Sequence, residues 1–170
     1  MKFFYRQIFV ALLLLGVLSS PSCKKDGSSN VSLLINGQHT SLQLKKASLL
    51  VSPNANTVAL TGESGSSKIS LFIQNNNSTV TDCIDTKDYA MTANGWLGSG
   101  FIDNGSILLR YQSVSYITQT QISGTVSVSK CDNMKVISVN CSGWLFNTTN
   151  TSDSIFLNQA AFENIQLVKH

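Results

Sequence analysis

Two histidines, His39 and His170, are all the imidazole the chain has. His39 follows the Asn36-Gly37 pair and has no partner near it in sequence, so it reads as an exposed strand residue rather than a general base. Paired-carboxylate chemistry needs two acids at a set separation. The candidates are Asp82, Asp85 and Asp88 with Asp103. All four lie in Ser-, Thr- or Asn-rich stretches, where Asp is an ordinary turn former. A calcium loop would use the same oxygens. However, the 82–88 stretch carries Lys87 and lacks the glycine and glutamate of such a loop. Serines abound, yet no G-x-S-x-G elbow occurs. General acid–base work needs positioned titratable groups, and this chain has few. No catalytic residue, metal site or cofactor is expected, and the chain is read as a non-enzyme.

The thiols come next. Cys83, Cys131 and Cys141 follow an early Cys23. A tight turn at Asp132-Asn133 would set Cys131 opposite Met134 and Cys141 opposite Gly124. Those two sulfurs would then lie too far apart to bond. Any bridge should therefore use Cys83, with Cys131 or Cys141 as its partner. The alternative is three reduced thiols, with Cys141 packed as a small hydrophobe. The spacings fit no zinc pattern.

The stretch Asn94-Gly95-Trp96-Leu97-Gly98-Ser99-Gly100-Phe101 has a G-x-x-G-x-G spacing. It lacks the lysine, the helix and the βαβ setting of a phosphate cradle. Trp96, Tyr89 and Phe101 are instead the candidate ligand-binding set, able to stack on a ligand such as a sugar. The competing reading folds Trp96 back as a plug, since a tryptophan buries much area.

These groups must be positioned by strands. Period-two alternation runs through nearly the whole body, and no long helical period occurs. Ile69, Leu71 and Ile73 alternate with Ser70, Phe72 and Gln74; Ile122, Gly124, Val126 and Val128 alternate with Ser and Thr. One face of each strand is apolar and the other hydroxylated, as in antiparallel sheets with one wet face. Asn36-Gly37 and Asn104-Gly105 are the strongest hairpin signals. Residues 52–56, 63–66, 75–78, 131–134 and 147–153 supply further turns, while the last run, Phe162 to Val168, alternates less clearly. The expectation is a single all-β domain over 31–170. It would be an antiparallel meander-type sandwich or barrel of about nine to eleven short strands.

Ahead of that domain, residues 1–22 have the layout of a signal peptide. Lys2 and Arg6 open it, an apolar run follows from Ile8 to Leu18, and small residues 19–22 close it. As a helix the apolar run reaches about 16 Å, short of a bilayer core of roughly 30 Å. Cys23 then resembles the lipidated cysteine of a bacterial lipobox, although Ser20 stands where leucine is preferred and Pro21 is unusual. The reading is a lipid-modified N-terminus at Cys23, with 23–30 as a tether. Ordinary cleavage after Ser22 is the alternative. The formal charge of +3 belongs to this leader and tether, because from Val31 onward eight basic residues meet eight acidic ones. A neutral domain argues against nucleic-acid binding and against a polybasic membrane module.

Three segments resemble a family of small, uncharacterised β-rich lipoproteins of Bacteroidota. They are Ile35-Asn36-Gly37-Gln38, the pair 122–128 with 135–138, and Leu157-Asn158 with Phe162-Glu163-Asn164-Ile165. The chain departs from the pattern at Val139 and at Ala160-Ala161, where relatives carry glycine. The resemblance implies an all-β fold and an envelope location, the outer membrane on its periplasmic face or at the cell surface. It implies no activity. Asp153-Ser154-Ile155 resembles the O-glycosylation acceptor of the same bacteria, which makes Ser154 a candidate. The expected function is that of a noncatalytic envelope module binding a glycan, an envelope protein or a small apolar ligand. A purely structural component is the alternative, and a minor hydrolase the weaker one.

Overall fold

The computed structural model describes residues 30–76, 78–92, 103–119 and 123–170. Asn36 and Gly37 both take positive φ, 48° and 79°. That is the geometry of a two-residue type I′ turn, whose twist matches that of the strands it joins. It links β1 (Asn30–Ile35) to β2 (Gln38–Val51), with Ile35 opposite Gln38. Gly65 and Ser66 join β3 (Ala55–Ser64) to β4 (Ser67–Asn76) in the same two-residue fashion. β5 (Asp88–Met91), β6 (Asn104–Tyr111) and β7 (Val114–Ile117) follow, then β8 (Gly124–Cys131) and β9 (Val136–Asn147). β10 (Ser154–Gln166) and the short β11 (Val168–Lys169) end the chain.

The strands pair in the order β1-β10-β9-β8-β5-β6-β4-β3-β2, and β2 pairs back onto β1. The all-β sheet is thus closed into a barrel, which leaves its wall without a long free edge. β8 and β5 fill the space between β9 and β6 at one end of the wall. At the other end β7 alone spans it, pairing Leu108–Tyr111 of β6 and Asn147–Phe146 of β9. β1–β4 and β8–β10 form meanders as expected. The meander is broken where β4 passes over β5 to pair with β6. β5 lies parallel to β6, and β11 lies parallel to β2.

Three local expectations are corrected. Asn104-Gly105 is no turn: both residues lie inside β6, buried, with Gly105 opposite Ile73. The β8–β9 connection is wider than a tight turn. Cys131 sits opposite Ile137, and Cys141 opposite Val126 rather than Gly124. Asp132 builds this loop, accepting at Oδ1 from the amides of Met134 (3.0 Å) and Val136 (3.1 Å). The poor alternation near the C-terminus has a cause. β10 carries register shifts between Leu157 and Ala160 and between Phe162 and Ile165, each of which moves side chains to the other face.

Inward-facing Val31, Leu33, Leu60, Leu71, Val126 and Val139 belong to one apolar core. The interior is tightly filled. A Cβ on Gly62 would stand 2.9 Å from Val31 Cγ2, and one on Gly105 2.5 Å from Val126 Cγ2. One end is stoppered by the segment before β5, whose Cys83 and Ile84 are fully buried. Asn56 holds this stopper by donating to the carbonyls of Val80 (3.0 Å) and Cys83 (2.5 Å). A disulfide joins Cys83 to Cys131 at the end of β8, with Cα atoms 5.8 Å apart.

Candidate binding surface

Three of the four aspartates singled out in the sequence, Asp82, Asp85 and Asp103, serve the stopper. Asp85 Oδ1 accepts from the Thr79 amide (3.0 Å) and hydroxyl (2.8 Å). Asp103 accepts from the Asn76 amide at 2.6 Å and forms an ion pair with Lys87, whose ammonium also lies 3.7 Å from Asp85. Asp82 pairs with Lys169, and Asp88 is exposed on β5. Burial works against the charge on Asp85. The Thr79 hydrogen bonds, the Asn75 contact and Lys87 outweigh it and hold the carboxyl below its ordinary range. A general acid needs the opposite shift. Asp85 and Asp103 are committed acceptors that close a loop. Among the described residues, no three His, Cys, Asp or Glu side chains gather as a metal site.

Tyr89 does not line a ligand surface. It is 1% exposed, and its hydroxyl donates toward Asn75 Oδ1 (3.1 Å) and the Asp85 carbonyl (2.8 Å). Burial, then the charges of Asp85 and Asp103, push its phenol well above the ordinary range. Its two companions in the sequence reading, Trp96 and Phe101, lie outside the described residues, as does Cys23. Cys141 is a free thiol inside the barrel, and burial pushes it up as well. Ser154 opens β10 opposite Phe146 and is half-buried. Its neighbour Asp153 accepts from Asn147 Nδ2 at 2.8 Å.

The outer wall carries the arrangement that the sequence reading missed. On β9 the inward set is Ile137, Val139, Cys141, Gly143 and Leu145, so the alternate residues face out. Ser138, Asn140 and Ser142 are polar, as expected of a wet face, but Trp144 and Phe146 follow them. Trp144 is 49% exposed and sits opposite Phe156 of β10, with ring centroids 5.1 Å apart and a tilt of 56°. Phe146 is opposite Ile117 of β7, and Ile117 is opposite Leu108 of β6. Ile117 and Leu108 are 38% and 45% exposed. These five side chains form one continuous apolar strip across four strands. Outward neighbours on the same strands are the hydroxyls of Ser106, Ser115, Ser142 and Ser154, with Arg110 beside Leu108 on β6. Strict alternation on β9 is the signal that would have placed Trp144 outside.

A second concavity, an open groove of about 570 Å³, is lined by Asn30, Ser41, Gln43, Lys45 and Glu63 among others. It is polar, and the Lys45 ammonium is already given to Gln43 at 2.6 Å. It brings no converging set of groups to one point.

Comparison with known protein families, curated proteins and solved structures finds no match.

Proposed function

We propose that this chain is an exported envelope lipoprotein, anchored through Cys23, that works by binding and not by chemistry. The leader layout and the small polar segment behind Cys23 support the anchor. The observation that carries the binding reading is the strip Leu108–Ile117–Phe146–Trp144–Phe156. It is an apolar run without a charged member, flanked on the same strands by serines and, beside Leu108, by Arg110. Contiguous exposed apolar surface is rare on monomeric proteins and marks interaction sites. The filled interior weighs against a small apolar ligand inside the barrel, and the strip favours an extended envelope partner: a glycan, a protein or the membrane. The committed state of Asp85 and Asp103 weighs against the minor hydrolase.

Two measurements test this. Metabolic labelling with a palmitate analogue should mark the full chain and fail on Cys23→Ala; equal labelling refutes the anchor. The full chain, tagged at its C-terminus and extracted in mild detergent, should retain an envelope component that Trp144→Ser loses. Retention of nothing by either form removes a glycan or protein partner; vesicle binding weakened by Trp144→Ser then marks the membrane as partner, and no vesicle binding the purely structural reading. For the modification proposed at Ser154, glycan staining should disappear in Ser154→Ala.

A further inference from the structure

We infer that the surface seated on the Leu108–Ile117–Phe146–Trp144–Phe156 strip is the interfacial layer of the bilayer to which the chain is tethered. This rests on the anchored reading of Cys23 and names the partner of the same strip. The argument begins with where the tether enters. Asn30 opens β1, β10 with Phe156 is the next strand, and β9 with Trp144 is the one after. Two strand spacings amount to only ~10 Å around the wall, but Asn30 lies at the Phe162 end of β10 while Phe156 sits beside Asn36 at the other end of β1, ~20 Å along the strand. The seven residues from Lys24 to Asn30 reach at most ~25 Å when fully extended. That reach exceeds the offset, so a lipidated Cys23 lets the barrel lie down with this side against the membrane.

The chemistry of the strip suits that layer. Its five side chains carry no charge, and Arg110, exposed beside Leu108 at its edge, is a long cationic side chain that can keep its head at the polar level of the headgroups. Tryptophan is the residue most at home at the level of the headgroups, with an apolar ring and one N–H for the wet side. The serines beside it match a hydrated headgroup region. An apolar contact from the wall adds to the hold of the acyl anchor. The strip is shallow and built on paired strands, so the barrel can lie on the surface with the ladders of β6, β7, β9 and β10 intact.

The test uses the second tryptophan as a reporter. Trp96→Phe leaves Trp144 as the sole indole of the full chain. The purified chain is reconstituted into phosphatidylcholine vesicles whose acyl chains carry bromine near the headgroup. Trp144 emission should fall by roughly half or more, and Leu108→Lys with Ile117→Lys should restore most of it, because both positions are exposed. Unquenched Trp144 in a chain whose Cys23 is acylated overturns the inference while the anchor stands. If Cys23 proves unacylated, the same chain is offered to the vesicles from solution. Quenching there upholds the strip without the anchor, with roughly tenfold weaker partitioning for the double lysine variant. Absence of quenching overturns it. Shielding of Trp144 by a glycan, a captured protein or a second copy, equal with and without vesicles, also overturns it.

Discussion

Gly105 of β6 and Val126 of β8 share a space that holds only one side chain: a Cβ on Gly105 would lie 2.5 Å from Val126 Cγ2. The two strands are not hydrogen-bonded to each other; β5 stands between them. The glycine lets the wall fold inward where that short strand is inserted. Gly105→Ala should destabilise the barrel by about 1–3 kcal/mol, the usual cost of overpacking. Gly105→Ala with Val126→Ala should recover part of that loss, read as the urea midpoint. An alanine variant as stable as the parent would refute the crowding.

Cys83 and Cys131 bridge a sequence separation of 48 residues, tying the stopper to the end of β8. Chain-entropy reasoning for a loop of that length gives about 4 kcal/mol of stabilisation. The Cys83→Ser, Cys131→Ser double variant should lose much of it and melt well below the parent. Cys141 cannot take over as a partner, since it is buried on β9 opposite Val126. Peptide mapping without reductant should return a single bridged pair and one free thiol.

How far this was legible follows the range of the interactions involved. Asn36-Gly37 and Asn104-Gly105 are the same dipeptide, and only the first makes a turn. The first is decided locally by positive φ at both residues. The second is decided by Val126, which arrives from a distant part of the chain. Strand alternation was readable wherever pairing is regular, and it failed in β10, where register shifts move side chains between faces. The stretch around Cys83 and Ile84 reads as a surface turn by composition, yet it fills the end of the barrel. Trp144 could have been placed on the outer face from β9 alone. The strip could not, because it exists only once β7 bridges β6 to β9.

Asp85 gives the stopper an acid-sensitive latch. Its carboxyl is held below the ordinary range, so the folded state binds its proton more weakly than the unfolded chain does. That stability is present above the unfolded value of about 3.9 and is lost as pH falls through the lower folded value. Protection of the Thr79 amide, which Asp85 accepts at 3.0 Å, should fall below about pH 4 in hydrogen exchange. Asp85→Asn should show the lower protection already at neutral pH. Flat protection in the parent down to pH 2–3 would count against the latch.

Tyr89 should govern the alkaline limit. Burial raises its phenol above the unfolded value of about 10, and the charges of Asp85 and Asp103 add to this. A raised value makes the protonated phenol part of the fold. Its contribution is complete below the unfolded value and is lost as pH rises from there toward the folded value. Stability should therefore decline above about pH 10, and more slowly in Tyr89→Phe. At neutral pH that variant should lose about 1 kcal/mol, because Asn75 Oδ1 keeps the Asp85 amide at 2.6 Å as a donor. Asn75→Ala strips an acceptor from both the Tyr89 hydroxyl and the Asp85 amide, and should cost about 1–3 kcal/mol for the group left unsatisfied. The ratio of the two losses, read from denaturant midpoints, separates a tyrosine held by Asn75 from one held by packing alone: equal losses would mean that Asn75 organises nothing beyond the phenol.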